Sequence, residues 1–286
     1  KARKVEPVGH AHLDMVRLWT LQETYEVAEK TFESVLNLQK INQDLTFCHS
    51  SPALLEWLEI NRPRLFEQIQ ESVKNGRFEI AAGLWIEPEF NLIRGEAIAR
   101  QLLYGQRYVQ EKFTDSQGDS VSTKIAWLPD SFGFCWQIPQ LFKKAGIDYF
   151  LTQKLRWNDT TDFPHELFYW VAPDGTKILT IMMPPIATDM DPVAIGKRAI
   201  AWETATGDSH PLWLPGVGDH GGGPSQDMLD VAHLWQRSPL FPEVSFTTAI
   251  DHCKSLEERL VKSEAIATLP EWKDELYLEF HRGCYT

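Results

Sequence analysis

Residues 5–14 read Val5-Glu6-Pro7-Val8-Gly9-His10-Ala11-His12-Leu13-Asp14, a β-like run that ends in two imidazoles and a carboxylate at every second position. Side chains two apart on an extended backbone point the same way, so two or three members of this trio can face one point. Two readings of the histidines stand side by side: a buried, hydrogen-bonded pair, or ligands for a metal. Imidazole nitrogen with carboxylate oxygen suits Zn²⁺, which takes such ligands at about 2.0–2.2 Å.

The same alternation of strand and loop continues outward from this stretch. Further β-like runs lie at Leu45–Cys48, Arg77–Ala81, Lys124–Leu128, Tyr149–Thr152, Leu212–Leu214 and Val244–Phe246. Helical patterns fill the intervals: Trp19–Gln39, Pro52–Asn75, Glu96–Phe113, Ile138–Ala145, Pro192–Thr206, Gln226–Arg237 and Ala249–Lys262. Within Glu96–Phe113, Ile98, Leu102, Tyr104, Tyr108 and Val109 recur near a helical period. Glycine stop signals follow at Lys74-Asn75-Gly76 and Ala145-Gly146. One interruption, Leu167–Met183, carries two β-rich runs around Pro173-Asp174-Gly175 and reads as a hairpin inserted after the fifth strand. About seven βα units imply parallel strands joined by right-handed crossovers, hence an α/β fold of the seven-stranded parallel βα-barrel type. No low-complexity segment or linker divides residues 1–286, which read as one domain.

In such folds ligands gather where strands end and helices begin. The second strand runs into His49-Ser50-Ser51 and the third into Gly83-Leu84-Trp85-Ile86-Glu87-Pro88. The fourth runs into Pro129-Asp130-Ser131-Phe132-Gly133, and the fifth into Gln153-Lys154 with Trp157 close behind. The sixth gives Gly216-Val217-Gly218-Asp219-His220-Gly221-Gly222-Gly223. Asp130 has two readings: a helix cap or turn former, or a carboxylate aimed at the same metal as His12 and Asp14. The glycine run fits neither nucleotide-binding pattern and reads as a tight βα turn or a close backbone approach to a ligand.

The formal charge of −12 argues against a nucleic-acid partner. No apolar run is long enough to span a bilayer. The four cysteines form no C-x-x-C pair and read as reduced thiols of a cytoplasmic protein. Some of the eleven tryptophans lie beside polar motif residues, where they suit the apolar face of a sugar.

Taken in order, several stretches resemble glycoside hydrolase family 38, the α-mannosidases, in the branch with bacterial and cytosolic enzymes. They are Gly9–Asp14, Trp85-Ile86-Glu87-Pro88, Arg100–Arg107, Trp127–Gly133, Leu141–Lys154, Gly218–Pro224 and the terminal Leu276-Tyr277-Leu278-Glu279-Phe280-His281-Arg282-Gly283. The resemblance implies a seven-stranded βα barrel, one Zn²⁺ and retaining hydrolysis of terminal α-linked mannose from an oligosaccharide or glycoconjugate. By motif it makes His12, Asp14 and Asp130 the zinc ligands and Asp130 also the nucleophile. Glu279 is the candidate acid/base, with Glu275 and Asp219 behind it. Trp19, Trp85, Glu87, Asp219 and His220 are candidate sugar contacts. Family members continue into helical and β-sandwich domains, and a histidine of the helical domain supplies the fourth zinc ligand. The chain therefore reads as the catalytic domain without those parts, oligomeric in the full-length protein. Two other readings compete. One is an amidohydrolase-type metal enzyme, which needs further histidines at later strand ends, where His165 and His210 do not fall. The other is a non-catalytic carbohydrate-binding fragment.

Overall fold

The structure is a computed structural model and describes residues 3–16, 19–158, 160–218, 220–238 and 241–277. Its strands, in chain order, are β1 (Lys4–Pro7), β2 (Gly9–His10), β3 (Phe47–His49), β4 (Phe78–Ile80), β5 (Ile125–Leu128), β6 (Gly133–Phe134) and β7 (Tyr149–Thr152). Then come β8 (Leu167–Val171), β9 (Lys177–Met182), β10 (Leu212–Trp213), β11 (Glu243–Val244), β12 (Glu271–Trp272) and β13 (Leu276–Tyr277). The helices are α1 (Leu21–Ile41), α2 (Pro52–Asn61), α3 (Pro63–Lys74), α4 (Gly95–Lys112), α5 (Ile138–Lys144), α6 (Pro192–Thr206), α7 (Gln226–Gln236) and α8 (Ala249–Lys262).

Local chemistry explains where these boundaries depart from the sequence reading. Helix α1 starts at Leu21 because Thr20 and Glu23 form a reciprocal capping box, which leaves Trp19 outside the helix. The single helix expected over Pro52–Asn75 is two. Pro63 donates no N–H and excludes helical geometry from the residue before it, and Arg62 accordingly sits at φ −140°, ψ 57°. Asp191 caps α6 through the N–H groups of Val193 and Ala194, and Gly207 ends it in the left-handed region at φ 73°.

Strands β2, β3 and β4 pair in parallel, as do β5, β7 and β9. Strand β1 lies parallel between β10 and β11. The hairpin is confirmed, with β8 antiparallel to β9, but it is not a mere insertion. Its second arm joins the parallel set beside β7, and β8 faces β12 on its other edge. The fold is thus α/β with a largely parallel strand set. The expected seven-stranded barrel is not seen as a closed sheet among the described residues, where the strands fall into four sheets. Between β4 and β5 the link is one antiparallel bridge, Ala82 to Ala126, with the Gly83 N–H donating to the Ile125 carbonyl at 3.1 Å. Past β9, Thr188 bridges Pro215 next to β10. Strands of two to six residues leave little ladder with which to complete a ring.

Alternation along the strands builds the core on both sides. Ala126, Leu128 and Phe150 join the cluster under α4 and α5, whereas Ile125, Trp127, Tyr149 and Leu151 join the one that holds Cys253, Leu256 and Leu260 of α8. Helix α8 is tied to the strands by buried polar groups as well. His252 bonds Glu6 of β1 at 2.6 Å, Arg259 donates to Asp208 at 2.7 Å, and the N–H groups of Ala249 and Ile250 donate to Glu79 of β4.

Burial pushes the Glu79 carboxyl up to about 7, despite the two N–H donors that favour its charged form. A carboxyl that binds its proton more tightly folded than unfolded contributes stability below the unfolded value of 4.5 and loses it as pH rises through about 7. We expect unfolding free energy to fall between pH 4.5 and 7, by on the order of 3 kcal/mol from this residue. Urea titrations of the wild type and Glu79→Gln across that range check it; parallel pH profiles would refute the assignment.

Candidate metal and active site

The site forms at the C-terminal ends of the parallel strands. The chain leaving β2 carries His12 and Asp14, the loop after β4 carries Glu87, the loop after β5 carries Asp130, and Lys154 follows β7. Ligand-type atoms of His12, Asp14 and Asp130 lie within 4.8 Å of one another, the one such His/Cys/Asp/Glu group found among the described residues. Three of the sequence-derived residues, from two separate strand ends, are therefore brought together.

His12 is buried, and its two ring nitrogens have different surroundings. Nε2 lies 3.0 Å from Glu87 Oε2. Nδ1 makes no hydrogen bond and sits 3.8 Å from Asp14 Oδ1. Burial alone would depress this imidazole. The hydrogen bond and charge of Glu87, with the charges of Asp130 and Asp14, outweigh it and raise the group to about 9. His10 behaves in the opposite way. Burial and the neighbouring His12 push it down to about 3, its Nδ1 lies 3.3 Å from the Cys48 carbonyl, and its ring packs against Trp127. His10 is thus a buried, neutral imidazole held against a backbone carbonyl. His49 is likewise neutral, lowered by burial to about 4, with Nε2 3.1 Å from the Ser51 carbonyl.

Asp130 is half-buried. Lys154 Nζ lies 2.8 Å from its Oδ1, and that ammonium sits 3.6 Å from the Trp157 ring centre and 5.3 Å from that of Phe132. The Asp130 and Ser131 N–H groups donate to Glu87 Oε1 at 2.7 and 3.1 Å. Asp130 is therefore neither a helix cap nor an exposed turn former; its loop is anchored by a neighbouring carboxylate. Lys154 was legible as a rim residue, but its ion pair with Asp130 was not. A lysine this buried at a strand end is the signal that points to it.

The remaining candidates are dispersed around this centre. The Trp19 indole donates to the Asp14 carbonyl at 3.1 Å and packs on the His220 ring, centroids 3.3 Å apart. Trp85 is half-buried and meets Tyr108 edge-on. The glycine run approaches protein rather than leaving an open cradle. The Gly221 N–H donates to the His12 carbonyl at 2.8 Å, and a Cβ on Gly221 would lie 2.4 Å from Val27 Cγ1 of α1. Asp219 and Glu279 lie outside the described residues. Glu275 is exposed, and strand β13 beside it pairs with β6, Tyr277 opposite Gly133. His210 lies 3.5 Å from Glu6, ahead of β10 and at the other end of the strands, so it adds no imidazole to the rim.

Imidazole and carboxylates thus gather at the ends of parallel strands, where α/β folds place their ligand and catalytic groups. The chain belongs to glycosyl hydrolases family 38, whose N-terminal-domain profile matches residues 2–275. It is 34% identical to alpha-mannosidase G of Dictyostelium discoideum, over 99% of this chain and 25% of that protein. It is also 34% identical to alpha-mannosidase 2C1 of Homo sapiens, over 99% of this chain and 26% of that protein. The chain thus spans about a quarter of the length of these relatives. In fold it is similar to an alpha-mannosidase from Enterococcus faecalis, with a TM-score of 0.75 and 23% identity over 96% of this chain and 31% of that one.

Removing one partner of a buried ion pair strands the other, at roughly 3–5 kcal/mol. Lys154→Met leaves Asp130 beside Asp14 and Glu87 with no ammonium, and we expect a loss of about 3 kcal/mol in the metal-free chain. Urea unfolding measures it, and a change below about 0.5 kcal/mol would show that the pair does not form.

Proposed function

We propose that this chain carries the centre of a retaining, zinc-dependent α-mannosidase that removes terminal α-linked mannose from an oligosaccharide or glycoconjugate. The observation that carries the reading is the His12–Asp14–Asp130 cluster at the strand ends. The donor set fits zinc. His12 Nδ1 is buried without a hydrogen bond and lies 3.8 Å from Asp14, with an Asp130 oxygen in the same group, and N/O sets of this kind are typical zinc ligands. With His12 neutral, as a metal ligand must be, Asp14, Glu87 and Asp130 bring three negatives against one positive on Lys154, an excess that a divalent cation offsets in place of the His12 proton. His12, Asp14 and Asp130 would hold the ion, which when bound supplies Lewis-acid polarisation and a template for the sugar hydroxyls.

Asp130 is the nucleophile in this reading. Lys154 holds one of its oxygens and Glu87 holds its backbone, so the carboxylate is oriented before substrate arrives. It attacks the anomeric carbon and forms a glycosyl-enzyme ester, while a second carboxyl group, about 5–5.5 Å away, protonates the departing oxygen. The same carboxylate then takes a proton from water, which cleaves the ester. We assign that role to Glu279, which follows β13 in the chain, with Glu275 and Asp219 behind it. Trp19, His220 and Trp85 are assigned to the sugar's apolar face and rim, in keeping with the packing of Trp19 on His220. The family's seven-stranded barrel is the closed form that we assign to the strand set, and cytoplasmic residence and oligomerisation belong to the same reading.

Elemental analysis of the purified chain should give about one zinc per molecule, lost on Asp14→Ala or Asp130→Ala. With an aryl α-mannoside, Asp130→Asn should lower kcat by roughly 10³–10⁶-fold. Zinc content unchanged by either alanine variant would sink the metal assignment. Turnover retained in Asp130→Asn would sink the nucleophile.

A further inference from the structure

The Glu87 side chain bonds to residues of two strand-end segments of the site at once. Its Oε2 lies 3.0 Å from His12 Nε2, and its Oε1 accepts from the N–H groups of Asp130 and Ser131. The Ser131 hydroxyl lies 3.4 Å from the same Oε1 and donates more closely to the Pro88 carbonyl, at 2.9 Å. Both carboxylate oxygens are thus engaged with protein, in a half-buried position, which leaves the group poorly placed to serve a sugar hydroxyl.

A carboxylate can only accept. Its partner nitrogen on His12 must therefore be the N–H, and the lone pair of a neutral His12 must lie on Nδ1. Nδ1 is the buried atom without a hydrogen bond that faces Asp14. Carboxylates that receive the outer N–H of a metal-binding histidine fix its tautomer and ring orientation, and their loss typically costs 10–100-fold in metal affinity. Here the same carboxylate also anchors the backbone of the residue assigned as nucleophile. One side chain therefore registers the β2 and β5 loops against each other.

We propose that Glu87 is a positioning residue that sets the His12 tautomer and the place of Asp130 together, rather than a sugar contact. The inference rests on the metal reading above. It makes an asymmetric prediction for the isosteric amide. The Asp130 and Ser131 N–H groups require an oxygen acceptor, so a glutamine must give them its Oε1 and turn its NH₂ to His12. Nε2 then has to accept, the proton moves to Nδ1, and the atom facing the metal position loses its lone pair. The loop is kept and the ligand is lost.

The test is zinc titration of the metal-stripped chain in wild type, Glu87→Gln and Glu87→Ala, with amide hydrogen exchange at Asp130 and Ser131. Glu87→Gln should keep both amides protected while zinc affinity falls about 10–100-fold. Glu87→Ala should lose affinity and protection together. Wild-type affinity in Glu87→Gln would overturn the inference, and weaker mannose binding at unchanged zinc affinity would return Glu87 to the sugar. A wild-type chain that takes up no zinc would overturn the metal reading and this inference with it, and the wild-type arm tells that failure apart.

Discussion

Parallel pairing of short strands is the constraint on which the rest of the molecule depends. Parallel neighbours end on the same side, so the loops that leave β2 and β4 emerge together, as do those that leave β5 and β7, and the bonds of Glu87 to the Asp130 loop join the two sets at one rim. Nothing in the local chemistry of His12 or Asp130 would otherwise bring together residues so distant in the chain. The crossover helices follow from the same constraint, because parallel strands must be joined the long way round, and their apolar stripes cover the strand set from outside. Alternation then gives β5 and β7 two jobs, with one row packed under α4 and α5 and the other packed with α8.

The rim is electrostatically demanding, and the structure meets the demand in a particular order. His10 and His49 are kept neutral by burial and bond backbone carbonyls, so they pack without adding charge. His12, equally buried, is surrounded by carboxylates and held at the opposite extreme. Asp130 is paired with an ammonium that is itself stacked on Trp157. Buried charges persist only when paired and hydrogen-bonded, and here the pairs link different loops. The charged groups of the His12–Asp14–Asp130 cluster are among those that hold the rim together.

Glu87 and the Gly221–Gly223 turn show how far such support extends behind the ligand cluster. The Gly221 N–H holds the carbonyl of His12, and the Gly222 N–H accepts support from α1 by donating to Thr31 Oγ1 at 2.9 Å. With φ values of 80° and 101°, these positions suit glycine on backbone grounds as well as on space. His12 is thereby fixed on its ring by one loop and on its backbone by another, which is the kind of double anchoring that pre-organised sites require.

The residue order by itself determined the α/β class, the main strands and helices, and which polar residues stand at strand ends, because strand and helix periods and loop composition are local properties; the two-residue strands β6, β12 and β13 carried no such signal. Strand-end position made His12, Asp14 and Asp130 candidates for one rim; the family resemblance, not the local pattern, grouped them as ligands. Tertiary structure decided what depends on through-space neighbours. The break at Pro63 was readable in principle, but the recruitment of β9 into the parallel set depends on pairing with β7, which no local signal carries. The opposite protonation behaviour of His10 and His12 could not be read from an H-x-H pair, since it arises from which carboxylates the fold brings to each ring. The Lys154–Asp130 pair and the bridging carboxylate of Glu87 belong to the same category: contacts between loops far apart in sequence, set by how neighbouring strands are registered.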